Sequence, residues 1–178
     1  MFYGLIFGEL GMVIYLSARI EQMSASMATN LFLAYSVLNG ATISAILLLY
    51  TGASVATTFF VAGGMFVSMA AYGTVTKKDL TSMGSFMFMG LVGIVIASVV
   101  NIFLGSAMIS WVVSAIGVIV FTGLTAYDVQ KITRIGSGGI MGNGETAIRK
   151  GAIMGALALY LDFINLFLAL LRFLGDRR

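Results

Sequence analysis

Leu124-Thr125-Ala126-Tyr127-Asp128 closes one long apolar run of the chain, and Tyr160-Leu161-Asp162-Phe163-Ile164-Asn165 lies in the middle of another. Uninterrupted apolar runs of this length predict helices embedded in lipid. An ionised side chain at membrane depth is costly unless it meets a partner or water, and such residues are functional candidates by default. Asp128 and Asp162 are therefore the first residues to explain.

The composition predicts a polytopic membrane protein. Apolar residues make up 60% of the 178 residues and charged residues only 10%, whereas a soluble domain has roughly 25% charged residues. Met1-Phe2-Tyr3-Gly4-Leu5 runs directly into an apolar segment, so no cleavable signal is expected. The chain has no Cys and no His, which excludes disulfides, the usual zinc ligands and an imidazole pH switch. Any titration near neutral pH must therefore use carboxyl groups.

Six apolar segments have about the 20 residues that a helix needs to cross a bilayer. They lack the alternation of transmembrane β-strands. The predicted fold is an all-α, polytopic transmembrane helix bundle that forms a single domain, residues 1–178. The predicted spans are 2–20, 28–50, 55–75, 83–104, 108–133 and 150–174.

Basic residues predict the orientation of the bundle. Arg19, Lys77, Lys78 and the basic residues of 131–150 fall at one end, which the positive-inside rule makes cytoplasmic. The tail Arg177-Arg178 falls at the other end, against this bias. The net charge of +3 is modest and the basic residues form no stripe, so no nucleic-acid partner is expected.

Small residues predict where helices approach closely, since they let backbones pack together in lipid. Three patches are candidates for such packing: Gly63-Gly64, Gly90 with Gly93, and Gly151 with Gly155.

Five charged residues lie within the spans or at their rims: Glu9, Arg19, Asp128, Asp162 and Arg172. A rise of ~1.5 Å per residue places Glu9 and Arg172 at the same non-cytoplasmic level, which predicts a structural ion pair. Asp128 lies about two turns inside the cytoplasmic face and Asp162 lies deeper. Contact between these two carboxyl groups is therefore expected to need fraying or a late start of the last helix.

The functional interpretation is that Asp128 and Asp162 form a coupled acid pair with Arg19 as the nearby counter-charge. Two carboxyl groups in one poorly hydrated site titrate as a unit, which predicts a pH-responsive latch. When deprotonated, the pair also offers hard oxygen ligands, together with Asn165, of the kind that Ca²⁺ prefers. The alternative interpretation is a static buried cluster that holds the helices in register.

Three phrases of the chain closely resemble the transmembrane Bax-inhibitor-motif family. They are Tyr72-Gly73-Thr74-Val75-Thr76-Lys77-Lys78-Asp79-Leu80-Thr81-Ser82-Met83-Gly84, Phe121-Thr122-Gly123-Leu124-Thr125-Ala126-Tyr127-Asp128-Val129-Gln130-Lys131-Ile132, and Gly155-Ala156-Leu157-Ala158-Leu159-Tyr160-Leu161-Asp162-Phe163-Ile164-Asn165-Leu166-Phe167. They occur in the family's order, and the resemblance extends over nearly the whole chain.

The resemblance implies a seven-helix membrane fold with a central last helix. It also implies the function of the bacterial members, a pH-sensitive calcium leak channel of the inner membrane in which an arginine latches an aspartate pair. Those gating positions correspond to Asp128, Asp162 and Arg19, and a further pair corresponds to Glu9 and Arg172. The family has an additional span upstream, so this chain is expected to begin at the equivalent of the second helix.

Two other classes of protein remain as alternatives. A non-conducting regulatory membrane protein would act by binding a membrane protease or another membrane-protein partner. An intramembrane aspartyl protease also uses two aspartates, but no Gly-x-Gly-Asp phrase surrounds Asp162, so we predict that the chain is not an enzyme. The expected partners are the lipid bilayer and Ca²⁺ as the permeant ion, with no resident cofactor.

Overall fold

The computed structural model describes residues 2–137 and 145–178. These residues form six long helices without a β-strand, which confirms the predicted all-α class. A short 3-10 helix, Ile20–Gln22, connects the first helix to the second. The helices are α1 (Phe2–Arg19), α2 (Ala25–Leu47), α3 (Gly52–Val75), α4 (Thr81–Leu104), α5 (Ala107–Gly136) and α6 (Glu145–Leu174).

Helix lengths agree with a bundle that spans a bilayer. Among the described residues, five helices, α2 to α6, are long and apolar enough to cross a membrane, while α1, 18 residues long, corresponds to the first of the six predicted spans. Both α5 and α6 have 30 residues and are longer than predicted. The predicted Gly-rich connection between them lies largely in 138–144, outside the described residues. The length and apolar character of the five helices α2 to α6 indicate an integral membrane protein.

Local signals in the sequence explain where the helices begin and end. The side chains of Ser24, Thr51 and Ser106 each accept a hydrogen bond from the amide three residues later and so cap α2, α3 and α5. These caps satisfy amides that have no partner within the helix. After α4, Gly105 adopts a left-handed conformation with φ of 60°, which favours glycine.

The last helix occupies a central position among the described helices. α6 packs against α2, α3 and α5, while α5 packs against α3, α4 and α6. The buried cluster between these helices is here called the α5–α6 core. Its members are Tyr50, Ala62, Val120, Phe121, Leu124, Leu166, Phe167, Leu170 and Leu171.

A second buried cluster joins α1 and α2 to the first half of α6, and its members include Leu16, Tyr35 and Leu157. At the opposite side of the bundle, α4 turns its apolar side chains outward, and Ile102 and Phe103 are 78% and 85% exposed. Such a surface matches the hydrocarbon of a bilayer.

The small-residue patches are only partly used for helix packing. A Cβ atom at Gly90 would lie 2.9 Å from the Val120 side chain, and one at Gly155 would lie 2.5 Å from Ile132. These two glycines therefore permit close approach, as predicted. In contrast, Gly63, Gly64 and Gly93 face nothing within 4 Å, so the prediction was wrong for them. Periodicity in sequence does not show which face of a helix meets a neighbour.

Candidate functional site

Asp128 of α5 and Asp162 of α6, here called the Asp pair, lie close enough for each carboxyl group to act on the other. Asp162 is only 5% exposed. Its Oδ2 atom is buried and has no hydrogen-bond partner among the described residues. A buried polar atom without a partner costs free energy, so this oxygen is a natural position for a proton or a cation.

The Asp pair forms between two continuous helices, so the expected fraying or late start of the last helix was wrong. α6 in fact begins at Glu145, five residues earlier than the predicted 150. Contacts between Gly117 and Ala169 and between Gly155 and Ile132 fix an antiparallel register. In this register Asp162 lies about one turn deeper than Asp128.

The direction in which the two side chains point compensates for this difference in depth. In a helix each Cα–Cβ bond tilts toward the helix N-terminus. Because α5 and α6 run in opposite directions, the Asp128 side chain leans into the bundle and the Asp162 side chain leans toward the end that carries the basic loops. The two carboxyl groups therefore converge without any break in either helix.

A cleft of about 680 Å³ opens beside the Asp pair, between α4, α5 and α6. Lys131 lies one turn from Asp128 in this cleft, and its charge acts on that carboxyl group. Asn165 also lines the cleft, and its Nδ2 atom donates 2.8 Å to the Leu161 carbonyl. The remaining polar lining is the exposed Ser85 of α4 and Tyr127 of α5. The cleft thus combines two acids, one base and neutral oxygen atoms.

The α5–α6 core lies directly beyond the Asp pair. Leu124 is one turn deeper than Asp128, and Leu166 is one turn deeper than Asp162 and fully buried. Thr125, which is also fully buried, donates its hydroxyl to the Phe121 carbonyl within α5. Close-packed apolar side chains therefore separate the cleft from the far end of the bundle.

Two glycines bring α3 and α4 onto α5 next to the Asp pair. A Cβ atom at Gly73 would overlap the Ala126 carbonyl oxygen, and one at Gly84 would lie 2.5 Å from the Tyr127 ring. Real Cβ atoms do not approach so closely, so any side chain at either position forces the helices apart. Glycine at these positions lets the wall of the cleft form.

Gln130 fastens the loop between α3 and α4 to α5, two residues past Asp128. Its Nε2 atom donates 2.8 Å to the Lys78 carbonyl, and its Oε1 atom accepts from the Leu80 amide at 3.0 Å. Both Gln130 and Leu80 are buried. The Gln130 side chain therefore binds the loop backbone through one donor and one acceptor.

A salt bridge lies one turn further along α5. Arg134 contacts Asp79 at 3.2 Å on the exposed surface. Hydrogen bonds from Thr81, and secondarily the Arg134 guanidinium, hold the pKa of Asp79 below its usual range. Surface pairs contribute little to stability, so we assign the fastening of the loop chiefly to Gln130.

The structure does not bring Arg19 to the Asp pair. Arg19 ends α1, is exposed, and donates from Nη1 to Gln22 Oε1 at 2.6 Å. The basic residue beside the Asp pair is Lys131 instead. The predicted arginine latch is thus not engaged in this conformation.

The predicted ion pair between Glu9 and Arg172 is also not formed. Glu9 is buried and accepts a hydrogen bond from the Thr42 hydroxyl of α2 at 2.5 Å. Arg172 is exposed in the last turn of α6. The expected common depth was also wrong. Glu9 lies at the level of Thr42, whereas the end of α6 that carries Arg172 lies at the level of Tyr50, about 12 Å further along the bundle.

The polar neighbours of Glu9 were missed by sequence reasoning. Asn39 donates to the Tyr160 hydroxyl at 3.2 Å, and Tyr35 and Thr42 lie on the same face of α2. Tyr35, Asn39 and Thr42 recur at helical spacing within an apolar span, which was the available signal. They indicate a buried polar contact between α1, α2 and α6, separate from the Asp pair.

The described residues contain no group of three or more His, Cys, Asp or Glu side chains that could hold a metal ion. The Asp pair supplies two carboxyl groups only. Tight Ca²⁺ sites, such as those of EF-hands, supply about six to eight oxygen ligands. The predicted metal ligands Asp128 and Asp162 alone therefore supply fewer ligands than a tight Ca²⁺ site needs.

Comparison with known proteins places the whole chain in one family. The family model described as "Inhibitor of apoptosis-promoting Bax1" matches residues 1–178. The chain is 53% identical to Inner membrane protein YbhL of Escherichia coli over 175 residues, which cover 98% of this chain and 74% of that protein. It is 47% identical to an uncharacterized protein of Borreliella burgdorferi over 178 residues, covering 99% and 75%.

Proposed function

The chain belongs to the Bax inhibitor family, and on that premise we propose that it forms a pH-sensitive leak pathway for Ca²⁺, gated by Asp128 and Asp162. The relative named as an inner membrane protein supports placement in a bacterial inner membrane. The basic residues Arg19, Lys77 and Lys78 then lie on the cytoplasmic side, in keeping with the positive-inside rule.

The observation that carries this proposal is the buried, unpartnered Oδ2 atom of Asp162, whose carboxyl group lines the same cleft as Asp128. A static structural cluster is expected to satisfy every buried polar atom. A carboxyl pair that alternates between a shared proton and a cation instead needs an oxygen without a fixed protein partner. This difference favours a gating site over a structural one.

Calcium is the cation that this chemistry favours. Carboxylate and amide oxygens are hard ligands, and Asn165 lines the same cleft as the Asp pair. Conduction requires a site that binds an ion well enough to admit it and weakly enough to release it. Two carboxylates, with no third acid beside them among the described residues, meet that requirement better than a closed cage of ligands.

Gating follows from the charge of the Asp pair. With one shared proton the two carboxyl groups attract each other and hold α5 against α6 over the apolar core. When that proton is lost, two negative charges repel each other in a poorly hydrated site. Separation of α5 from α6 would then loosen the contacts of Leu124 and Leu166 that close the path. Higher pH is therefore expected to open the pathway.

Calcium flux into proteoliposomes containing an entrapped calcium dye tests the proposal. Wild-type flux is expected to rise across a pH series, while Asp162→Asn and Asp128→Asn proteins are expected to lose that dependence. Asp79→Asn is the matched control, because it removes an exposed carboxylate in the loop between α3 and α4.

Unchanged flux and an unchanged pH profile in both Asp pair variants would contradict the gating role. An equal effect of Asp79→Asn would point to general surface charge. Absence of flux from folded wild-type protein would contradict conduction itself and favour a non-conducting regulator that binds a membrane-protein partner.

A further inference from the structure

A second cavity lies at the end of the bundle opposite the basic loops, and the proposed leak pathway does not use it. This groove, of about 760 Å³, is formed by the end of α4, the start of α5 and the end of α6 with its tail. Its polar and aromatic lining is Ser98, Asn101, Ser110, Trp111, Ser114, Arg172 and Arg177.

Two arginines in the groove have no carboxylate partner. Among the described residues the salt bridge that forms lies between Arg134 and Asp79, at the other end of the molecule. Both Arg172 and Arg177 are exposed, and so is the neighbouring Asp176. Two guanidinium groups that face one cavity repel each other, so an anion between them is strongly favoured.

The tail that carries Arg177 is held in place by the turn between α2 and α3. The Thr51 amide donates to the Asp176 carbonyl at 3.1 Å, and the Arg178 amide donates to the Leu49 carbonyl at 3.0 Å. The Arg177 guanidinium lies 5.7 Å from the centre of the Tyr50 ring. The backbone of Arg177 is therefore held beside the groove, and its guanidinium lies between the groove and Tyr50.

The opposite wall of the groove is also rigid. Asn101 donates to the Ser106 carbonyl and to the Ser110 hydroxyl, at 3.1 and 2.7 Å, and accepts from the Ser106 amide at 2.9 Å. These bonds fix the turn into α5. The first residue of α5, Ala107, lines the groove, and the positive end of the helix dipole adds to the field of the arginines.

The rim of the groove is apolar and outward-facing. Ile102 and Met108 are 78% and 76% exposed. Trp111 packs against Phe173 with the two rings tilted and their centres 5.2 Å apart, and tryptophan is enriched at membrane–water interfaces. The arginines thus lie at headgroup level, next to a surface suited to acyl chains.

We propose that this groove binds a phosphate group through Arg172 and Arg177, and that the apolar rim favours a phosphate carried by an anionic phospholipid. Arginine matches phosphate through paired hydrogen bonds, which a point charge cannot reproduce. The site also gives a reason for basic residues at the end of the bundle where the positive-inside rule disfavours them.

Native mass spectrometry of the full chain in detergent, titrated with phosphatidylglycerol or phosphatidylcholine, tests the proposal. Wild-type protein is expected to bind phosphatidylglycerol more tightly. Each of Arg172→Gln and Arg177→Gln is expected to weaken that binding about 5-fold, and the double variant about 25-fold, which corresponds to about 1 kcal/mol for each basic group at an anionic surface. Arg178→Gln is the matched control, since Arg178 lines a different pocket.

Several results would overturn the assignment. Retained phosphatidylglycerol binding in the folded double variant, or an equal loss in Arg178→Gln, would remove the site. Should the double variant fail to fold, the single Arg177→Gln change, which lies in the tail beyond α6, decides the question. Competition with inorganic phosphate at millimolar concentration distinguishes a phospholipid headgroup from free phosphate as the ligand. Displacement of the lipid by phosphate, together with weak lipid binding, would support a phosphate site but overturn the lipid as its ligand.

Discussion

Replacement of Gln130 by leucine should detach the loop between α3 and α4 from α5. The change removes the acceptor for the Leu80 amide and the donor to the Lys78 carbonyl. Lys78 is exposed, so water can replace its lost partner, whereas Leu80 is 5% exposed and its amide is left unpaired. A buried unpaired amide costs about 1–3 kcal/mol. At about 2–4 °C per kcal/mol for a chain of this size, the midpoint of thermal unfolding should fall by about 2–12 °C.

Thermal unfolding of purified protein in detergent measures the global effect, and amide hydrogen exchange in residues 77–81 measures the local one. Gln22→Leu is the matched control, because Gln22 is an exposed glutamine at the same end of the bundle, where its side chain accepts a surface hydrogen bond from Arg19. Its expected effect is within about 0.5 kcal/mol. Equal midpoints for Gln130→Leu and Gln22→Leu, with no faster exchange at Leu80, would refute the reasoning.

Two further predictions concern buried contacts near α1 and α4. Thr42→Val removes the hydroxyl that donates to buried Glu9 and should destabilise the protein by about 1.5–3 kcal/mol. Thr42→Ser keeps the hydroxyl and should retain most of the stability. Equal midpoints of thermal unfolding for the two variants would contradict this prediction. Gly84→Ala places a Cβ atom against the Tyr127 ring and should cost about 1–3 kcal/mol, whereas Gly93→Ala, which meets nothing within 4 Å, should be neutral or stabilising by about 0.5–1 kcal/mol. Destabilisation of equal size in both alanine variants, measured by thermal unfolding, would argue against the close contact.

The depth of a residue along its own helix could be predicted, but the level of one helix relative to another could not. Asp128 and Asp162 were expected to lie inside the bundle, and the structure places their carboxyl groups together. Glu9 and Arg172 were expected at a common level, but Glu9 lies beside Thr42 and Arg172 lies near the end of α6. Counting residues with a fixed rise gives the depth within one helix, whereas the relative level of two helices depends on how they pack.

The partners of charged residues could not be predicted in the same way. Glu9 pairs with Thr42 instead of Arg172, and Arg19 pairs with Gln22 instead of the Asp pair. A partner depends on how each helix is rotated about its axis and on which helices are neighbours. In spans that are apolar on nearly all faces, the sequence carries little information about that rotation.

The amino-acid sequence alone determined that this protein is an all-α membrane protein and that two carboxyl groups lie at membrane depth. Composition and run length suffice for these conclusions, because lipid solvates no backbone polar group and admits few charges. Only the tertiary structure decided that continuous helices bring Asp128 to Asp162, that Gln130 fastens a loop beside them, and that Arg172 and Arg177 face one groove. These relations depend on the antiparallel register and rotation of α5 and α6, which glycine contacts and side-chain packing set between segments far apart in the chain.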